Sequence, residues 1–317
     1  MSRGVSSLLS ITLLTREHSK TCAERGFCMM CVMQNHITEV LGHPERVIKP
    51  LPVYYGLHNI AGHFVHGCQE DAHEFLRYAI DALQQACLRD YDSLDLSTKG
   101  TSLIHQLFGG YLRSQGESNT FDQFMDLQLD IKNSNSIMEA MKEYVKPEVL
   151  ELCNETVTAT KTFSIQRPPN VLTLRLNRFD VFSANKISKM VAYPECIDIR
   201  PYTSEPNGEP ITYGLYAVLV HAGTTCNSGH YYCYVKAPNG KWYNMNDQSV
   251  TLVDKTTVLR QQAYLLFYIR SSNDQRRKEP SFSTQATLNV QKPMIIKSAS
   301  IGTDTMLKVM LTFNLKQ

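Results

Sequence analysis

The chain has 317 residues, a formal net charge of +2 and nine cysteines. That length suits one large domain or two small ones, the near balance of charge gives no electrostatic case for nucleic acid, and no apolar run reaches the length of a membrane span. The cysteines are odd in number and scattered, which favours free thiols in a reducing compartment over a disulfide framework.

In chain order, MSRGVSSLLSITLLTREH resembles a secretory leader only weakly. Its apolar run is broken by Ser10 and Thr12, and no small-residue cleavage site follows. Residues 28–41, CMMCVMQNHITEVL, are apolar over much of a helical surface and predict a buried helix. Residues 69–88, QEDAHEFLRYAIDALQQACL, predict a second. There Phe75, Leu76, Ala79, Ile80, Leu83 and Cys87 recur at helical spacing as one stripe, with Glu70 and Asp71 in the first turn, where the helix dipole favours acids. Residues 110–168 are polar and mixed and read as an excursion from the core.

From about residue 170 the period changes to two. Residues 170–179, 213–223, 230–236, 241–246 and 263–270 alternate or run apolar, with turns between them. Helices first and strands later predict an α+β domain with a mostly antiparallel sheet. The polar, Pro- and Ser-containing segment 272–317 predicts a disordered tail. There are no internal repeats.

Half of an active site is legible in NSGHYYCYVKAPNGKWYNMND, residues 227–247. Gly229 frees the backbone before His230, and Asn239-Gly240 is a strong hairpin signal because both residues tolerate positive φ. The returning strand ends at Asn246 and Asp247. A histidine facing an amide or carboxylate across a ribbon suits a general base and the group that orients it. With a two-residue loop, His230 faces Ser249 and Asp247 is its diagonal neighbour; a one-residue bulge puts Asn246 there instead. Spacing alone leaves both open, and a lone strand histidine is more often structural.

Other motifs carry less. HEF at 73–75 lacks the second histidine of a zinc-protease helix, since position 77 is arginine. No phosphate loop and no G-x-S-x-G elbow is present. Cys28 and Cys31 form the single C-x-x-C pair, with His18, Cys22 and His36 nearby, so a zinc site is conceivable. Inside an apolar helical stretch, however, cysteine behaves as a small hydrophobe, and core packing is the favoured reading.

Taken as successive blocks, FCMMCVMQNHI, QEDAHEFLRYAIDALQQACL, LIHQLFGGYLRS, NVLTLRLNRF, YPECIDIRPY, YGLYAVLVHAG, SGHYYCYVKAPNGKWYNMND and QQAYLLFYIR resemble the ubiquitin-specific protease family from about Arg16 to Arg270. The nearest subgroup is the nuclear and nucleolar members and their short, testis-expressed relatives. The resemblance implies a papain-like α+β fold of helical thumb, antiparallel palm and fingers. It sets a non-family N-terminus at 1–15 and a protease domain at 16–271, with thumb to about 106, fingers about 107–168 and palm about 169–271. The implied activity is thiol-dependent cleavage of the isopeptide bond after the ubiquitin C-terminal glycine.

Residue by residue, His230 matches the general base, Asn246 the third triad member and Asp247 an assisting acid. Asp71, Tyr231 and Gly229 match positions that hold the ubiquitin tail, and 179–189 and 221–229 match the loops that gate the cleft. The implied partners are ubiquitin and ubiquitinated proteins, for a monomer in nucleus or cytoplasm, with no nucleic acid, membrane or cofactor.

Two departures stand against the family pattern. Its nucleophile stands in an N-x-G-N-T-C box at a helix start, where the dipole stabilises a thiolate, and the same box supplies an oxyanion-hole asparagine. No such box occurs here, and Cys22, Cys28 and Cys31 match non-catalytic thumb positions. The expectation is an N-terminally truncated fold that does not turn over, the alternative being a non-catalytic ubiquitin-binding or scaffold protein; a different Cys-His-Asp enzyme such as an acyltransferase is remote. The family's two finger C-x-x-C pairs are also missing, with Cys153 alone in that region, so the expectation is no metal and reduced fingers of two short strands.

Overall fold

The computed structural model describes residues 18–43, 48–88, 102–116, 118–151, 158–179, 186–223, 229–237, 239–247 and 249–271. The expected tail at 272–317 and the expected non-family residues 1–15 lie outside them.

The N-terminal region is helical. Helix α1 (Met29–Gly42) and helix α4 (Ala72–Leu88) pack together, with short helices α2 (Leu51–Tyr55) and α3 (Leu57–Ile60) between them and α5 (Leu103–Phe108) after them. Met29, Met30, Met33 and Ile37 of α1 are fully buried. On α4 the buried stripe is Phe75, Leu76, Ala79, Ile80, Leu83 and Ala86, while Cys87 is half-buried. Each of the large side chains among these contributes about 1.5–3 kcal/mol on burial, and the alanines less. Asp71 is not in the first turn of α4 but caps it. Its Oδ1 accepts from the amides of His73 and Glu74 at 2.9 and 3.0 Å.

Two sheets follow. The small one has the order β2-β1-β5-β4, from β1 (Gly110–Gln115), β2 (Asn119–Phe124), β4 (Glu148–Glu151) and β5 (Thr158–Arg167). It has four strands where two were expected. Its middle pair, β1 and β5, runs in register from Leu112↔Ile165 to Gln115↔Thr162, and β2 and β4 pair outside them. Backbone pairing holds this sheet although β2 is exposed at every position but Phe124. Cys153 lies outside the described residues.

The large sheet has eight strands in the order β11-β10-β9-β8-β12-β6-β3, with β7 also on β8. These are β3 (Leu127–Asp130), β6 (Val171–Asn177), β7 (Cys196–Asp198), β8 (Thr212–Ala222), β9 (His230–Lys236), β10 (Trp242–Asn246), β11 (Ser249–Val253) and β12 (Ala263–Arg270). All pairs are antiparallel except β3–β6. Helix α6 (Ile137–Tyr144) packs on β3, and the short α7 (Lys255–Leu259) precedes β12.

The central strands are covered on both faces, as their near-continuous apolar sequences require. Val171, Ala217, Leu219, Leu265 and Phe267 join the helical core. Their alternates Leu172, Val218, Val220, Leu266 and Tyr268 join a second core on the opposite face. Arg178, at the end of β6, is fully buried. Its Nε donates to the Ala263 carbonyl at 2.5 Å and its Nη1 to those of Ile187 and Lys189 at 2.8 and 3.0 Å, and burial pulls its pKa down to about 10. Among the described residues no helix is long and apolar enough to cross a membrane.

Candidate active site

Strands β9 and β10 form the predicted hairpin, and its register resolves the open question. Trp242 pairs with Lys236 and Met245 with Cys233, so the connection is longer than the two-residue loop by enough to shift the ribbon one residue. Asn246, not Asp247, comes beside His230. The Asn246 Oδ1 lies 2.5 Å from His230 Nε2, so that nitrogen carries the proton in the pair. Asp247 Oδ2 stands off at 3.8 Å, with its side chain half in solvent.

Local backbone explains the difference. Asp247 has φ of 51°, a left-handed conformation that aspartate tolerates better than most side chains. Asn246 pairs with Ser249 across this turn into β11, and the turn carries Asp247 off the strand face. The other nitrogen of His230, Nδ1, is buried without a partner among the described residues. One face of the imidazole is backed by Tyr232, its ring stacked at 6.3 Å and 29°.

The start of β9 is set by close packing. His230 pairs with Ala222 and Tyr231 with His221 across β8. A Cβ on Gly229 would lie 2.1 Å from His221 Nε2 and 2.7 Å from the Ala222 carbonyl, so glycine is needed for this approach rather than for its φ. The Gly229 amide also donates to Gln69 Oε1 at 3.3 Å, which ties β9 to the residues before α4. His221 is buried. Burial, and then the Lys186 ammonium, depress its pKa to about 4 against the opposing pull of Asp71.

Asp71 joins the helices to the large sheet. While Oδ1 caps α4, Oδ2 accepts from the Tyr264 hydroxyl at 2.7 Å and from the Tyr231 hydroxyl at 3.2 Å. Tyr264 is fully buried, and burial followed by the Asp71 carboxylate drives its pKa strongly upward. Of the two expected gating segments, 180–185 and 224–228 fall outside the described residues. Their ends are joined by Lys186, whose Nζ donates to the carbonyls of His221 at 2.5 Å and Gly223 at 3.1 Å. The Phe179 ring packs edge-on to His221 at 5.3 Å. Gln69, His221 and Lys186 escaped the sequence reading. Gln69 works through a contact 160 residues away and Lys186 through one 35 residues away; Gln69 lies beside Asp71, and His221 and Lys186 lie within the expected gating segments, but nothing local singled them out.

His230, Asn246, Gly229, Tyr231 and Asp71 are thus linked through one hydrogen-bonded junction of α4, β8, β9, β10 and β12, with Asp247 at its rim. Cys22, Cys28 and Cys31 take no part in it. They form a group of their own with His18, the four ligand atoms lying within 4.8 Å of one another. Burial, then hydrogen bonding from Cys22 and the crowding of Cys28, push the Cys31 thiol up to about 12. Core packing describes Cys28, which is buried, but not the convergence of all four groups.

Helices packed on a mostly antiparallel sheet, with His230 and Asn246 joined across β9 and β10, place the chain in the papain-like α+β fold class. The family profile described as "Ubiquitin carboxyl-terminal hydrolase" matches residues 4–268, and the chain belongs to that family, within its ubiquitin-specific proteases. It is 54% identical over 274 residues to human ubiquitin carboxyl-terminal hydrolase 42, covering 82% of this chain and 21% of that protein. It is 46% identical over 282 residues to human ubiquitin carboxyl-terminal hydrolase 17-like protein 20, covering 84% and 52%. The chain therefore spans about half or less of the length of these relatives. Among solved structures, the SAGA Ubp8/Sgf11/Sus1/Sgf73 DUB module bound to ubiquitin aldehyde superposes with a TM-score of 0.71 at 28% identity, covering 81% of this chain and 63% of that one. The same module carrying a Ubp8 variant and bound to monoubiquitin gives 0.70 at 28% identity, over 81% and 62%.

Proposed function

We propose that this chain carries the base-and-orienter half of a thiol-dependent deubiquitinase, with residues 16–106, 107–168 and 169–271 as its thumb, fingers and palm. The observation that carries the reading is the His230–Asn246 pair. With its Nε2–H held by Asn246, His230 keeps Nδ1 as the proton-accepting nitrogen. In the reaction a cysteine Sγ attacks the carbonyl carbon of the ubiquitin C-terminal glycine, and Nδ1 takes the thiol proton. His230 then returns that proton to the departing lysine amine, and water hydrolyses the thioester. Asp247, whose Oδ2 lies 3.8 Å from Nε2, is a secondary acceptor that can help orient the ring.

The ubiquitin tail would lie along Asp71, Tyr231 and Gly229, whose donors and acceptors line the junction of helices and sheet. The relatives that stand in complex with ubiquitin aldehyde and monoubiquitin support ubiquitin as the ligand. The described cysteines are all free, in keeping with action in the nucleus or cytoplasm. The 317 residues hold no N-x-G-N-T-C box, so this polypeptide by itself is proposed not to turn over, since loss of the nucleophile costs about 10⁶-fold.

The test is to mix the purified chain with ubiquitin bearing a C-terminal electrophile and record binding and intact mass. Binding without a mass increase is expected, weakened in Asp71→Ala. An adduct mapped to Cys22, Cys28 or Cys31, or a folded chain that does not bind ubiquitin, overturns the reading.

A further inference from the structure

The four-residue group His18, Cys22, Cys28 and Cys31 has no part in the proposed chemistry. Two separate pieces of chain deliver it. A helical turn at 18–21 presents His18 and then, four residues on, Cys22. Cys28 sits at the N-cap of α1 with extended backbone, and Cys31 follows in the first turn. His18 Nε2 already stands 3.1 Å from Cys28 Sγ, and all four ligand atoms fall within 4.8 Å of one another. Bonds of ~2.3 Å to a tetrahedral ion set its ligand atoms roughly 3.8 Å apart, so a small contraction of this group makes the coordination shell.

We propose that His18, Cys22, Cys28 and Cys31 form a structural zinc site of the Cys₃His type that pins the segment before α1 to the helical core.

The donor set suits zinc. Thiolate and imidazole are its preferred ligands, and a pair spaced C-x₂-C is usual in closed four-ligand sites. Calcium and magnesium take oxygen ligands and are poor matches. The site is closed, because four protein ligands leave no position for water or substrate, so it acts on stability and not on a reaction. Its mechanical effect follows from its place. Cys28 is 4% exposed and opens a helix whose Met29, Met30 and Met33 fill the core against α4. Residues 18–22, by contrast, have little core burial of their own, Cys22 being partly buried against the cluster. A metal would couple the two pieces, and its binding free energy would become folding free energy. The missing finger pairs do not bear on this site, which lies in another part of the chain.

The test uses the full chain expressed with zinc supplied, desalted and measured by elemental analysis alongside intact mass. One zinc per chain is expected, with all four residues unmodified. A variant combining His18→Ala and Cys22→Ser leaves buried Cys28 in place and is expected to lose the zinc. Cys22→Ser alone is expected to lower zinc affinity by more than about 100-fold, beyond the loss that removal of an outer-shell partner causes. Should a variant not fold, cobalt titration of the unaltered chain still decides. Thiolate-to-cobalt charge transfer and strong tetrahedral visible bands support the site, and a chelator should then lower the melting temperature. A folded chain with neither zinc nor cobalt bands overturns the proposal, as does zinc retained at one per chain in the folded double variant.

Discussion

The two sheets are built from the same antiparallel pairing but differ in what covers them. The large sheet is packed on both faces over its central strands β6, β8 and β12. In the small sheet the outer strand β2 is exposed at all but one position. A sheet covered on both faces holds the hairpin β9–β10 in fixed register, so that Asn246 meets His230 and Asp247 does not. A thinly covered sheet can keep its pairing with polar side chains and needs no such register. His230 and Asn246 sit where the covered centre gives way to the exposed edge, with β11 outermost.

That difference predicts a graded set of outcomes. Phe267→Ala, at a fully buried position of β12, is expected to lower stability by about 3–5 kcal/mol in denaturant unfolding. Asp71→Ala removes the cap of α4 and strands the Tyr264 hydroxyl, for an expected loss of about 2–4 kcal/mol. If it behaved as a surface change, the junction between helices and sheet would not be the structural tie described above. Gly229→Ala is expected to cost about 1–3 kcal/mol through the clash with His221 and the Ala222 carbonyl. Phe121→Ala on β2, a residue 58% exposed, is expected to change stability by no more than about 0.5 kcal/mol. Equal losses at Phe267 and Phe121 would erase the comparison.

The pH dependence sharpens the same contrast, because His221 is a buried titratable group on the large sheet. Its folded pKa is about 4, below the ordinary ~6.5 of the unfolded chain. Between these values the unfolded chain binds the proton and the folded one does not. Stability is therefore expected to be full above pH ~6.5 and to fall as the pH drops toward 4. His221→Gln should flatten that slope in unfolding curves recorded across the range; an unchanged slope would assign it to other groups.

The sequence exposes the large sheet well and the small one poorly, and the reason is the same burial. YGLYAVLVHAG and AYLLFYIR read as strands because both faces need apolar residues. NTFDQF on β2 and the four residues EVLE of β4 give no such signal, the first being too polar and the second too short, and their pairing with the neighbouring strands β1 and β5 makes them strands. Helix α6 escapes the sequence reading although Ser136 caps it, accepting from the Glu139 amide at 3.2 Å. Its S-x-x-E spacing is a legible start signal. At the site, residue types and hairpin are legible, but the one-residue shift that selects Asn246 depends on turn geometry that Asn239-Gly240 alone does not fix. The convergence of His18 with three thiols is hidden for a different reason. A helical pattern shows which side of α1 is apolar, but not what the preceding turn brings to its first residue.

The central claim, that His230 and Asn246 are a competent half-site, is tested most directly by supplying the other half. A family segment bearing the N-x-G-N-T-C box is joined ahead of Arg16, and cleavage of a ubiquitin fusion is timed. The expected result is restored cleavage that falls by about 10²–10⁴-fold or more in His230→Ala and by less in Asn246→Ala, where Asp247 can still steer the ring. A folded graft that binds ubiquitin but does not cleave it, or one whose cleavage is indifferent to His230→Ala, would contradict the account and leave a ubiquitin-binding protein without catalysis.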